Sequence, residues 1–184
     1  MVRASSIEIS GLMEARWAVE LPEGDPWWFE PRWDRFRCLA FRDQGEVRLV
    51  VKSGMPPTRC LPEVVHILGR PRPRTFGLDG ELIVADGGRF SVDALRMRPH
   101  PAATRIRWLS HEIPAVLTCF DLLLSPDRRD LRAEPLRERR RALDSLIDGP
   151  PERALDASTL RSEAPGPLLG VTSASSSGVG LHGR

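Results

Sequence analysis

Lys52 is the only lysine among the 27 basic residues of this 184-residue chain, so one side-chain amine is available for covalent chemistry. Three carboxylates, Asp79, Glu81 and Asp121, stand at the ends or in the middle of apolar runs. They suggest a metal triad, although isolated acids in such places are more often solvated. Arg137, Arg139, Arg140 and Arg141 form a basic run able to meet DNA phosphates. On an amphipathic helix the same residues make a solvated face paired with Glu134 and Glu138, and that reading is preferred. Trp27, Trp28 and Trp33 are read as core or rim residues before base-stacking platforms. His66, His100, His111 and His182 show no ligand or triad spacing, so no function is assigned to them. Cys38, Cys60 and Cys119 are odd in number and in no metal-ligand spacing. Cys38 and Cys119 lie inside apolar runs and are expected in the core.

The elements that must position these residues are legible from periodicity and turn signals. Residues 35–41 and 46–52 alternate and flank Asp43-Gln44-Gly45, which predicts a hairpin with Val47, Leu49 and Val51 on one face. Residues 61–68 predict a short helix with Pro62 in its first turn, apolar positions 61, 64, 65 and 68 on one face, and Gly69 as C-cap. Residues 70–74 form a proline–arginine linker, and 76–85 predict a strand that turns at Asp86-Gly87-Gly88. Ser91 is positioned to N-cap a short helix through Met97. Residues 102–112 predict a helix stopped by Pro114. The apolar run 115–124 predicts a buried strand, which periodicity alone does not separate from a helix. Residues 135–147 predict an amphipathic helix with Leu136, Leu143, Leu146 and Ile147 in its stripe.

Composition agrees with one domain of α+β class: 41% hydrophobic, 28% charged, net charge +2. The charge alone does not demand nucleic acid. No signal-peptide run or membrane-length apolar stretch occurs, so a cytoplasmic, reduced protein without membrane attachment is expected. The chain divides into a lead-in (1–26), a central domain (27–149) and a Pro/Ser/Gly-rich segment (150–184) read as a disordered tail.

The chemistry sharpens at Glu30-Pro31-Arg32-Trp33-Asp34-Arg35-Phe36-Arg37. This octapeptide resembles the E-P-K-W-D-G-F-R of bacterial-type ATP-dependent DNA ligases, and the two residues that differ, Arg32 and Arg35, are both arginine. Four further elements follow in the family's order. Lys52-Ser53-Gly54 resembles its Ser-Arg-x-Gly element and Asp79-Gly80-Glu81-Leu82 its D-G-E-L/I motif. Phe120-Asp121-Leu122-Leu123 resembles its F-D-L/I-L motif, and Leu136-Arg137-Glu138-Arg139-Arg140 the L-x-E-R-R that comes next.

The resemblance implies an ATP-grasp-like nucleotidyltransferase domain of antiparallel sheets with packed helices, incomplete, without the OB-fold domain that follows in the family. It implies ATP and magnesium as cofactors and nicked duplex DNA as partner, with a repair complex a further candidate. In that family a lysine attacks the α-phosphate of ATP and becomes lysyl-AMP. AMP then passes to the 5′-phosphate of a nick, and the 3′-hydroxyl displaces it. By resemblance, Glu30 reads the adenine amino group and Phe120 stacks on the ring. Glu81 holds the ribose or magnesium, and Arg37 and Lys52 contact ribose or phosphate oxygens.

Arg32 occupies the nucleophile's position. Attack needs a free nitrogen lone pair, and a guanidinium of pKa above about 12 delocalises its lone pairs and stays charged. Arg35 replaces a glycine with a bulky side chain. The family's later lysine-bearing motifs have no match after Ile147. Self-adenylation is therefore expected to be lost, with Lys52 the only substitute amine. A non-catalytic nucleotide- or DNA-binding module and a decayed gene fragment are the alternative readings.

Overall fold

The computed structural model describes residues 12–13, 28–31, 36–51, 58–70, 73–86, 89–100, 102–147, 155–157 and 179–182. The elements run β1 (Trp28–Pro31), β2 (Phe36–Asp43), β3 (Glu46–Val51), α1 (Pro62–Gly69), β4 (Phe76–Asp86) and β5 (Arg89–Phe90). They continue with α2 (Val92–Arg96), α3 (Ala103–Glu112), β6 (Ala115–Leu124), α4 (Leu136–Ile147), β7 (Leu155–Ala157) and β8 (Val179–His182). The main sheet has the order β3-β2-β4-β6-β7, with β5 on β4, and β1 pairs with β8 in a second, two-stranded sheet.

The β2–β3 hairpin closes through Gln44 (φ 52°) and Gly45 (φ 101°). Two consecutive positive φ values match the right-handed twist of the strands they join. The β3-β2-β4-β6 core is antiparallel throughout. The expectation of purely antiparallel sheets is corrected at the edge, where β7 joins β6 in parallel. A parallel neighbour requires a crossover connection, and α4 lies between the two strands in sequence. Within the segment read as a disordered tail, residues 155–157 and 179–182 form β7 and β8; the remainder of that segment lies outside the described residues.

One face of the sheet carries the main core. Cys38, Ala40, Leu78, Leu82, Leu117 and Cys119 pack beneath Val64, Ile67 and Leu68 of α1, Leu95 of α2 and Leu143 of α4. Full burial of each leucine, isoleucine or valine among them contributes about 1.5–3 kcal/mol. The predicted apolar stripe of α1 omitted Ile67, which is buried with Val64 and Leu68. Gly69 is not the C-cap: the helix includes it and leaves through Arg70 in extended backbone. Arg42, across the sheet, donates to the carbonyls of Arg70 (2.6 Å) and Gly69 (3.0 Å), a distant cation serving the end where a positive-φ glycine would otherwise act. Ser91 does cap α2, its hydroxyl accepting from the amide of Ala94 at 3.1 Å.

An ion pair fastens α1 to the start of β6. Arg98, fully buried, lies 2.7 Å from the Glu63 carboxylate and donates to the Ile113 carbonyl. Glu63 in turn accepts from the amide of Ala115 at 2.9 Å. Among the described residues no helix is long and apolar enough to cross a membrane.

Candidate nucleotide site

The opposite face of the sheet is smaller in apolar content and carries the polar residues singled out by sequence. Alternation along β2 puts Arg37 on the face of Leu39 and Phe41, away from Cys38 and Ala40. Register aligns Arg37 with Glu81 on β4 and Glu81 with Thr118 on β6, so these three form one row across the sheet. Asp79 occupies the next row, opposite Leu39 and Asp121.

Phe120 reaches this face through a bulge. Gly80 pairs with Cys119 and Asp79 with Asp121, which leaves Phe120 as the extra residue on β6. A bulge re-aims the side chain it carries. Here the half-buried ring meets the Arg37 guanidinium, whose carbon lies 5.7 Å from the ring centroid. Gly80 makes the close strand approach possible: a Cβ there would sit 2.5 Å from the Thr118 carbonyl oxygen. The glycine of the Asp-Gly-Glu-Leu element is thus demanded by strand contact, with no need of a special φ.

Two arginine–aspartate pairs hold the floor. Arg37 donates from Nε (3.0 Å) and Nη2 (2.7 Å) to the two carboxylate oxygens of Asp79, a bidentate fork with side-chain exposures of 17% and 2%. Arg139 of α4 pairs with buried Asp121, and its neighbour Arg140 donates to the Phe120 carbonyl at 3.0 Å. The solvated-face reading of the α4 arginines is therefore corrected for Arg139 and Arg140, both buried against β6. It holds for exposed Arg137 and Arg141, the latter 2.9 Å from Glu138. Asp79 and Asp121 each face an arginine, and among the described residues no three His, Cys, Asp or Glu side chains cluster to hold a metal.

Sequence reading missed the lead-in. Leu12 packs on the Leu39, Phe41, Leu123 and Leu124 cluster, and the Met13 carbonyl accepts from Arg37 at 2.6 Å. The Met13 sulfur lies 3.9 Å from Arg139. Residues 12–13 thus lie over the arginine floor, although nothing in their types announces it.

Of the residues expected in a nucleotide site, the structure brings together Arg37, Glu81 and Phe120. Glu30 is in β1, its backbone opposite Gly180, and its side chain is outside the described residues. Arg32, Arg35 and Lys52 also lie outside them, as do the side chains of all three clustered tryptophans. Cys38 is buried on the core face of β2, and burial together with the Asp79 charge pushes its thiol up to about 12. An open cleft of about 650 Å³ lies between the β6–α4 connection and α4; Arg139 lines it, but Arg37, Glu81 and Phe120 do not.

Comparison with known proteins shows the family to which this fold belongs. Residues 12–163 match the family model of the ATP dependent DNA ligase domain, a span wider on both sides than the 27–149 expected from sequence. DNA ligase C of Mycobacterium tuberculosis is 39% identical over 121 residues, 66% of this chain and 34% of that protein. DNA ligase C1 of Mycolicibacterium smegmatis is 40% identical over 141 residues, 74% of this chain and 40% of the relative. The chain thus spans between a third and two-fifths of these relatives' length. Among solved structures, mycobacterial DNA ligase D complexed with ATP and MES superposes with a TM-score of 0.56 at 28% identity, over 73% of this chain and 40% of that one. The chain belongs to the ATP-dependent DNA ligase family and carries part of its adenylation domain.

Proposed function

We propose that this chain binds ATP with magnesium on the Arg37–Glu81–Phe120 face and does not become adenylated. The observation that carries the reading is the row of Arg37 and Glu81 beside Phe120, together with Arg32 where the resemblance places the family's nucleophilic lysine. ATP supplies an electrophilic α-phosphate with pyrophosphate as leaving group, and magnesium spreads the charge on its oxygens.

The residues present fit that group. Phe120 offers a half-buried ring beside a cation, suited to stacking a purine base. Glu81 offers a buried carboxylate one row away, suited to a ribose hydroxyl or to magnesium. Arg37, fixed by Asp79, presents its charge without losing further side-chain freedom. Arg32 is able to neutralise phosphate charge but has no lone pair with which to attack. Lys52 aligns with a phosphate-contacting position and is assigned that role, as Glu30 is assigned the adenine amino group.

Binding of the native state alone must raise stability. ATP with magnesium is expected to raise the melting temperature, and Phe120→Ala to weaken affinity about fivefold. Absence of any shift with ATP would remove the nucleotide-binding reading. Nicked duplex DNA is the macromolecular partner implied by membership of the family, and repair the process it would serve.

A further inference from the structure

The Thr118 hydroxyl is a buried polar group of the site face, and among the described residues it has no hydrogen-bond partner. Its residue is 1% exposed, so bulk water does not satisfy it. An unsatisfied buried hydroxyl is costly to keep, and valine has a similar shape without that cost. Leu117 and Cys119 on either side belong to the main core, so alternation aims Thr118 at the other face, beside its cross-strand neighbour Glu81. Directly paired residues on adjacent strands hold their Cβ atoms about 5 Å apart, within reach of a threonine hydroxyl and a glutamate carboxylate after one side-chain rotation.

We propose that Thr118 is a positioning residue of the nucleotide site, its hydroxyl donating to the Glu81 carboxylate when that carboxylate engages a ribose hydroxyl. The bond is not made in this structure. Because the hydroxyl is shielded from solvent, a neighbouring protein group is its available acceptor, and Glu81 is the acid directly across the strand pair. Thr118 then fixes the carboxylate's orientation, and through it the discrimination of ribose from deoxyribose. The inference rests on the nucleotide reading above, which assigns Glu81 to the ribose.

The test is calorimetric binding of ATP, 2′-deoxy-ATP and 3′-deoxy-ATP, each with magnesium, to the chain and to Thr118→Val and Thr118→Ser, with melting of each protein alone. Thr118→Val is expected to melt no lower than the parent, to bind ATP about three- to tenfold more weakly, and to lose preference for ATP over one deoxy analogue. Thr118→Ser, which keeps the hydroxyl, is expected to retain that preference. A merely structural threonine would lower the melting temperature when replaced and leave the preference intact, and either result overturns the proposal. Unchanged ATP affinity in Thr118→Val would also overturn it while leaving the nucleotide reading in place. Failure of the parent chain to bind any of the three would overturn both.

Discussion

Arg37 shows how one side chain ties the site to the fold. Its sequence role was contact with ribose or phosphate, and the structure gives it a second role as the bidentate partner of Asp79. Removing one member of a buried pair leaves the other charge uncompensated, which costs about 3–5 kcal/mol. Asp79→Ala is therefore expected to destabilise by about that amount in urea unfolding, and Arg139→Leu to do the same by stranding Asp121. If Arg139 were the solvated residue that helix spacing suggested, its loss would change stability by less than about 1 kcal/mol.

Cys38 yields a pH prediction. Its thiol ionises near pH 9 when unfolded and at about 12 in the folded chain. The unfolded state thus releases its proton first, so stability from this group is complete below pH 9 and declines as pH rises from 9 towards 12. Native Cys38 should resist thiol reagents at pH 8 and react only on unfolding. Rapid labelling of Cys38 in the folded protein would contradict its burial.

At the scale of elements, the junction of β4 and β6 decides whether a site exists. The bulge at Phe120 and the close approach at Gly80 are parts of one device: the strands meet tightly beside the point where the aromatic ring is turned out. Gly80→Ala would drive a Cβ into the Thr118 carbonyl, and a loss of about 2–3 kcal/mol together with weakened ATP binding is expected. A variant as stable as the parent would show that the strands separate freely. The cap on α2 offers an independent check, since Ser91→Ala should cost about 1 kcal/mol through the lost bond to Ala94, without altering nucleotide affinity.

Most elements were legible because their signals are local. The β2–β3 turn, the Ser91 cap and the apolar stripe of α4 are each specified within a few residues. What sequence left hidden depends on long-range register. Alternation gives no warning that β6 bulges at Phe120, because the extra residue is defined only against β4. Helical spacing marks Arg139 and Arg140 as surface residues until β6 supplies Asp121 and the Phe120 carbonyl as partners. The α1 C-terminus misled for the same reason, its carbonyls being taken by Arg42 from another strand.

At the scale of the whole molecule, the proposed reading joins a family fold to an arginine in place of the reactive lysine. The sheet and its arginine–aspartate pairs stand in this chain, and on the proposed reading Arg32 puts a guanidinium where the resemblance places the family's nucleophilic lysine. Binding and chemistry are separable on this account: the Arg37–Glu81–Phe120 face needs no amine, and adenylation needs one. The direct measurement is incubation with α-phosphate-labelled ATP and magnesium, followed by denaturing electrophoresis, on protein whose melting temperature ATP has been shown to raise. No labelled band is expected. A labelled band would contradict the central claim, and its loss in Lys52→Ala would identify the amine that had taken the place of Arg32.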